Sequence, residues 1–362
     1  MDFALVKERL SSAGIDYWLT VSSEGKDPNS EAILGRKVSG PNFILFSKSE
    51  RTPLVLIGKM EEGGLSGKDF RKKIVEKRDE AKSILSSEIP EGSVVALNFS
   101  DNSSCDHLTK SQFDFLKKSL PKRRFVSSEN LQELRAIRSK KELKDHRKAI
   151  AITGQALESF GGKFAGLSER EIALSLKKNF LELGGEEAFE TIVASGPNSA
   201  NPHHVPTGRI VKTEEPLLID FGAKVNQSCA DITRTIWVGK NPSKSFVAVY
   251  SAVRFAQEES IKKVSAGEKG SEINGYSVEL LKKNFPDRAI LHSLGHSLGF
   301  LVHEVGPGLY SREKRKLLEN QIVTVEPGLY FPGKFGVRLE DDILVKTKGN
   351  ENLSKKIRKE LY

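Results

Sequence analysis

Five residues define the chemistry open to this chain: Asp220, Asp231, His296, Glu326 and Glu340. They stand in LLIDFG with the strand-like run after it, in GHSLGFLVHE, and in TVEPGLY running on to GVRLEDD. Asp220 and Asp231 mirror each other about a point between Val225 and Asn226, and Glu326 and Glu340 about Gly333. Both flanks of each turn are rich in β-branched and apolar residues. Each stretch is therefore expected to fold as a hairpin with its two acids directly opposed on one face. Two such hairpins gather about four negative charges in a small space, and a buried cluster of that kind needs cations to stay ionised. Two divalent metal ions would neutralise it.

An oxygen-rich set with one imidazole suits a hard divalent ion, Mn²⁺ first, with Co²⁺, Zn²⁺ and Fe²⁺ as alternatives. Five of the seven histidines fall between His203 and His303, inside or beside these motifs. His303 follows His296 by seven residues and His292 precedes it by four, while His203 and His204 stand together in PHHVPT. Arg338 lies two residues before Glu340, so on a strand it shares that face and can orient a ligand. Other polar residues receive plainer readings. His107 and His146 lie outside the cluster and are taken as structural, and Asp341 and Asp342 as solvated or hydrogen-bonded partners. Cys229 shares a face with Asp231 and reads as a small packing residue. Ser195, Gly196 and Asn198 are expected to shape the loop that carries His203.

The elements that must position these groups fall into two blocks. WLTVSS, NFILFS, PLVLIG and VVALNFS read as strands; FALVKERLSSAG and the lysine-rich stretch from Phe70 to Leu85 read as helices. That alternation predicts an α/β N-terminal domain over residues 1–128. Residues 129–362 then form an α+β domain. Ser139 with Glu142 and Ser168 with Glu171 are capping boxes that open two helices, the first through about Phe160, the second ending at Gly184 and Gly185. A third helix is expected from about Ser243 to Val264, with Phe246, Tyr250 and Val253 on one side. Helices interleaved with two ligand-bearing hairpins suggest two half-domains of common ancestry closing around one site.

These residues resemble the metallopeptidases of the pita-bread fold: methionine aminopeptidase, aminopeptidase P and prolidase. The resemblance runs from about Leu131 onward and is densest between Phe189 and Val345. FETIVASGPNSANPHHVPT and LRAIRSKKEL are similar to segments of the branch that cleaves Xaa-Pro bonds. It implies a creatinase-like N-terminal domain and a pita-bread catalytic domain with pseudo-twofold halves. It also implies roles. Asp220 would serve one metal alone, Asp231 and Glu340 would bridge both, and His296 and Glu326 would complete the second. Glu326 would act as general base, and His303 would steady the tetrahedral intermediate. His203 would face the substrate near the leaving proline, with His204, His292 and Arg338 shaping the substrate pocket. Relatives often carry a tyrosine in the first hairpin turn, where this chain has Val225, Asn226 and Ser228.

The expected activity is removal of an N-terminal residue preceding proline from a peptide, in the manner of aminopeptidase P. A prolidase confined to Xaa-Pro dipeptides is the alternative, and a non-catalytic binding member of the fold, which would lose ligands, a more distant one. The resemblance also suggests a homodimer. The net charge of +9 comes from short scattered basic runs without interleaved aromatics, a pattern of solvated surface and not of nucleic-acid binding. No apolar run approaches the ~18 residues of a membrane span. MDFALVKERL lacks the apolar core of a signal peptide. Two cysteines offer no disulfide framework, which fits a reducing cytoplasm.

Overall fold

Residues 2–65, 70–288 and 290–357 are described by a computed structural model, in which the chain separates into two units, Met1–Arg135 and Ala136–Tyr362. The first unit runs α1 (Phe3–Ser12), β1 (Tyr17–Ser22), α2 (Pro28–Leu34), β2 (Asn42–Ser47), β3 (Leu54–Ile57) and β4 (Arg71–Ile74). It continues through α3 (Arg78–Glu88), β5 (Val94–Leu97), α4 (Lys110–Ser119), β6 (Arg124–Ser127) and α5 (Glu129–Gln132). Its strands form one mixed sheet in the order β4-β3-β2-β1-β5-β6. The helix expected over Phe70–Leu85 is corrected: Arg71–Ile74 is an edge strand, parallel to β3. Its Arg71, Lys72 and Lys73 are exposed, and charged side chains are what an edge strand carries to deter pairing with other chains. The helix begins only at Arg78, where the Glu80 carboxylate accepts the Glu76 and Lys77 N–H groups.

The second unit repeats one plan. Two packed helices, α6 (Lys140–Glu158) and α7 (Glu169–Glu182), precede β7 (Glu186–Glu187), β8 (Ile192–Ser195), β9 (Glu215–Phe221), β10 (Ala223–Val225), β11 (Ser228–Cys229) and β12 (Ile232–Val238). Two more, α8 (Lys244–Lys263) and α9 (Gly270–Asn284), precede β13 (Ser297–Leu298), β14 (Ile322–Val325), β15 (Gly328–Phe331), β16 (Phe335–Arg338), β17 (Asp341–Val345) and β18 (Asn350–Asn352). Both capping boxes read from the sequence close as expected on α6 and α7. In the first half Ile172, Leu176 and Phe180 of α7 pack with Leu217, Ile219 and Phe221 of β9. In the second, Phe246, Tyr250 and Val253 of α8 pack with Leu329, Val337 and Leu339. Phe180 and Phe246 are fully buried, and each such side chain contributes roughly 2–3 kcal/mol by leaving water.

The two hairpins differ in register. β9 pairs with β12 so that Asp220 faces Thr233, and the turn lies at Asn226 and Gln227, one residue beyond the expected centre. Asp231 is thus not directly opposite Asp220, as expected from the mirror, but two residues along. That is a diagonal neighbour, still on the same face. Gly222 permits the break between β9 and β10, since a Cβ there would lie 1.9 Å from the Ala230 carbonyl oxygen. The second hairpin has the expected register. Val325 faces Asp341 in one ladder and Gly328 faces Arg338 in the next. Glu326 and Glu340 are therefore opposite one another in the gap between the ladders. The halves meet where β12 crosses this gap: the Glu340 N–H donates to the Thr233 carbonyl at 3.1 Å, and the Thr235 hydroxyl donates to the Arg338 carbonyl at 2.8 Å.

Candidate active site

A cavity of about 490 Å³ opens where the hairpins meet, and Asp220, Asp231, His296, Glu326 and Glu340 all line it. Asp220 comes from β9, Asp231 from the break before β12, Glu326 and Glu340 from the gap in the second hairpin, and His296 from the chain just before β13. One atom each of Asp231, His296 and Glu340 lies within 4.8 Å of the others. His296 Nε2 stands 3.4 Å from Asp231 Oδ2 and 3.6 Å from Glu326 Oε1. Its Nδ1 is 3.1 Å from the Ser297 carbonyl oxygen. A carbonyl only accepts, so Nδ1 carries the proton and the Nε2 lone pair faces the acids.

The electrostatics call for positive charge. Burial raises the Asp231, Glu326 and Glu340 carboxyls above the usual carboxylate range, and neighbouring acids add to the effect. Asp220 Oδ2 accepts from Arg338 Nη2 at 2.5 Å, while its Oδ1 is buried with no hydrogen-bond partner among the described residues. Glu340 Oε2 accepts from the Thr233 hydroxyl at 2.7 Å. Buried polar atoms are almost always satisfied. An unsatisfied carboxylate oxygen beside three further acids and an imidazole lone pair fits divalent cations, for which this donor set is chemically suited.

The histidines divide. His203, His292 and His303 line the cavity with Arg338. The His303 ring stands edge-on to His296 with centroids 4.3 Å apart. Burial, with His296 beside it, holds His303 down at about 4, so at neutral pH it is an uncharged ring with one N–H to donate. His292 is held at about 4 by burial and by Arg338. Its Nδ1 donates to the Ser293 carbonyl at 2.9 Å, so its Nε2 accepts from the Tyr330 hydroxyl at 2.8 Å. His204 does not reach the cavity wall. Its Nε2 turns instead to Glu169, 2.9 Å away, at the end of a turn in which the His204 N–H donates to the Asn201 carbonyl at 3.3 Å.

The sequence reading passed over Tyr330. Its hydroxyl accepts from Arg338 Nη1 at 3.1 Å while donating to His292, and so ties two cavity walls together. Parity was the available signal, since Tyr330 lies four residues after Glu326 in TVEPGLY. Phe189, Ile192, Val302 and Tyr310 supply the apolar lining.

Asp341 and Asp342 are not solvated; both are fully buried. Asp341 accepts from Arg234 Nη2 at 2.8 Å and from the Ser354 hydroxyl. Asp342 Oδ2 lies 3.1 Å from His146 Nε2 and accepts the Asp231 N–H at 3.3 Å. His146 thus supports the backbone of Asp231 from behind. Removing one partner of a buried pair strands the other, so His146→Ala should destabilise the second unit by about 3 kcal/mol. Urea unfolding followed by circular dichroism checks this; an unchanged midpoint would show that the pair contributes nothing. Cys229 is buried with its Sγ 3.4 Å from the Phe300 carbonyl oxygen, and burial pushes its thiol up to about 12, consistent with a packing role. In the altered turn, Asn226 takes a positive φ of 52° and its amide donates to Asp145.

The model of metallopeptidase family M24 matches residues 144–347, more than half of the chain, and the chain belongs to that family. Its fold is the pita-bread arrangement. Among curated proteins it is 35% identical to a putative Xaa-Pro aminopeptidase of Mycoplasma genitalium over 63% of this chain and 65% of that one. It is 34% identical to an Xaa-Pro dipeptidase of Pyrococcus furiosus over 62% and 65%. The matches thus span just under two thirds of these relatives. Solved structures align over nearly all of both chains. The X-Pro aminopeptidase of Thermotoga maritima superposes with a TM-score of 0.83 at 32% identity, covering 97% of each chain. The prolidase of Pyrococcus horikoshii OT3 gives 0.84 at 27%, covering 100% of this chain and 99% of that one.

Proposed function

We propose that this protein is a dinuclear metal-dependent peptidase that releases the N-terminal residue from peptides beginning Xaa-Pro, in the manner of aminopeptidase P. The observation that carries this reading is the convergence of four acids and His296 on one cavity, with Asp220 Oδ1 buried and unpartnered among the described residues. Asp220 would hold one ion, Asp231 and Glu340 both, and His296 and Glu326 the second. Mn²⁺ is the ion we assign. Bound there, the ions supply charge neutralisation, polarisation of the scissile carbonyl and acidification of a water.

The side chains do the rest. Glu326 takes the proton of the attacking water as the bond to the scissile carbon forms. It then delivers that proton to the proline nitrogen as the C–N bond breaks, so the leaving group departs as a neutral secondary amine. His303 donates its N–H to the oxyanion that develops on the carbonyl. His203 and His292 shape the side of the cavity that takes the proline. Arg338, bonded to Asp220, Tyr330 and the Pro202 carbonyl, holds the acid and the wall in register.

The same inventory supports a reading of substrate length. An Xaa-Pro bond is a tertiary amide without N–H, so recognition rests on ring shape and the flanking carbonyls. A strict dipeptidase must also bind the proline's free carboxylate, usually through a basic residue placed for it. Among the described residues Arg338 is the basic side chain on the cavity wall besides histidines, and it is bonded to Asp220. Ala-Pro-Ala should therefore be cleaved with kcat/KM at least equal to that of Ala-Pro under the same Mn²⁺. Turnover confined to Ala-Pro would make the protein a prolidase. We place it in the cytoplasm as a homodimer; among the described residues no helix is long and apolar enough to cross a membrane.

A further inference from the structure

Glu169 is a fully buried carboxylate outside the cavity, at the first position of α7, and it gathers six donors. Its Oε1 accepts the Ser195 N–H at 2.8 Å, the Ser195 hydroxyl at 2.7 Å and the Asn198 amide at 2.9 Å. Its Oε2 accepts His204 Nε2 at 2.9 Å, the Thr207 N–H at 3.1 Å and the Thr207 hydroxyl at 2.7 Å. These donors are spread along one segment, Ser195 to Thr207, that carries Pro202 and His203 on the cavity wall. From Asn201 to Arg209 that segment has no helix or strand of its own, and Val205 is 72% exposed. At its far side it touches the second hairpin. Gly336 donates its N–H to the Ser199 hydroxyl at 2.9 Å, and a Cβ at Gly336 would lie 2.1 Å from the Ser199 carbonyl oxygen.

We infer that Glu169 is the positioning residue that fixes the 195–207 segment and thereby sets the His203 wall against which the substrate's proline side packs. This rests on the peptidase reading above. The chemistry favours a carboxylate over any other residue. It offers two acceptor oxygens and no donor, and all six groups that face it, from four residues, donate, three to each oxygen. Burial alone would raise the acid, but hydrogen bonds from His204, Ser195 and Thr207 hold it down at about 2, so it accepts as a full anion. An amide could not replace it. The hydroxyls and His204 can reorient, but one backbone N–H faces each oxygen, Ser195 on Oε1 and Thr207 on Oε2, and a glutamine's NH₂ must oppose one of them.

The test is Glu169→Gln in the full chain loaded with Mn²⁺, beside Thr207→Val, which deletes one hydroxyl donor to Oε2. Amide hydrogen exchange over residues 195–207 should speed by at least about tenfold in Glu169→Gln, the local free-energy cost of a lost anchor being about 1.4 kcal/mol. KM for Ala-Pro-Ala should rise about tenfold with kcat changing less than about threefold, the signature of lost binding contacts. Bound metal should be unchanged. Thr207→Val should show the same split at about threefold in KM, and it decides the matter if Glu169→Gln fails to fold. Unaltered exchange in the folded variants, or a fall in kcat with loss of metal at constant KM, would overturn the inference. Exchange and metal content need no substrate. A wild-type protein inactive on Xaa-Pro peptides would therefore remove the peptidase reading while the exchange result still judged Glu169.

Discussion

Asp231→Ala should emerge from purification and Mn²⁺ loading with neither ion retained, and Glu340→Ala should behave alike. Each acid is buried and central to the cluster, Asp231 3.4 Å from His296 Nε2 and Glu340 held by the Thr233 hydroxyl, and each is assigned to both ions. Losing them removes several kcal/mol of transition-state stabilisation. At 1.36 kcal/mol per decade, kcat/KM for Ala-Pro-Ala should fall by about 10³-fold or more. His296→Ala should retain about one ion, since its lone pair serves one. Metal analysis by mass spectrometry after desalting reads all three variants. Full occupancy in Asp231→Ala would refute its assignment as a bridge.

His303→Ala should lower kcat by about 10²-fold, the scale of losing one donor to an oxyanion, and leave the metal content as in wild type. The ring stands edge-on beside His296, outside the group of Asp231, His296 and Glu340, and the five assigned donors complete the ligand set without it. KM should move little, because the contact forms as charge develops on the carbonyl and not in the ground state. Loss of metal in this variant would make His303 a ligand and require another donor for the oxyanion.

Much of this site was legible in the sequence because strand geometry converts spacing into direction. The second hairpin centres on Gly333 as its symmetry predicts, so Glu326 and Glu340 fall opposite one another and Arg338 on their face. The same reasoning misplaced the first turn by one residue. The ladder keeps one register from β9 and β12 through β10 and β11, and Asp220 and Asp231 lie diagonally in it, so their midpoint is not the turn. Capping boxes announced α6 and α7 through local chemistry. Helix α9 begins at Gly270 with no side-chain cap, so nothing local marked it. Charge patterning misled at β4, where lysines that suggested a helix line an edge strand. Of the two readings of Asp341 and Asp342, the hydrogen-bonded one holds, and both are buried; what they bond to, Arg234 and His146, lies about 110 to 200 residues away along the chain. The Glu169 hub was hidden for the same reason. Its helix start was read correctly, but its six donors come from a loop that only the fold brings to it.

The most direct test of the central claim follows metal and catalysis together. Protein stripped by chelation is titrated with Mn²⁺ while free alanine released from Ala-Pro-Ala is measured. The account predicts no turnover without metal, two ions bound per chain at saturation, and alanine release that rises with their binding. Undiminished hydrolysis by the stripped protein, or two bound ions without any release of alanine from Xaa-Pro peptides, would contradict it.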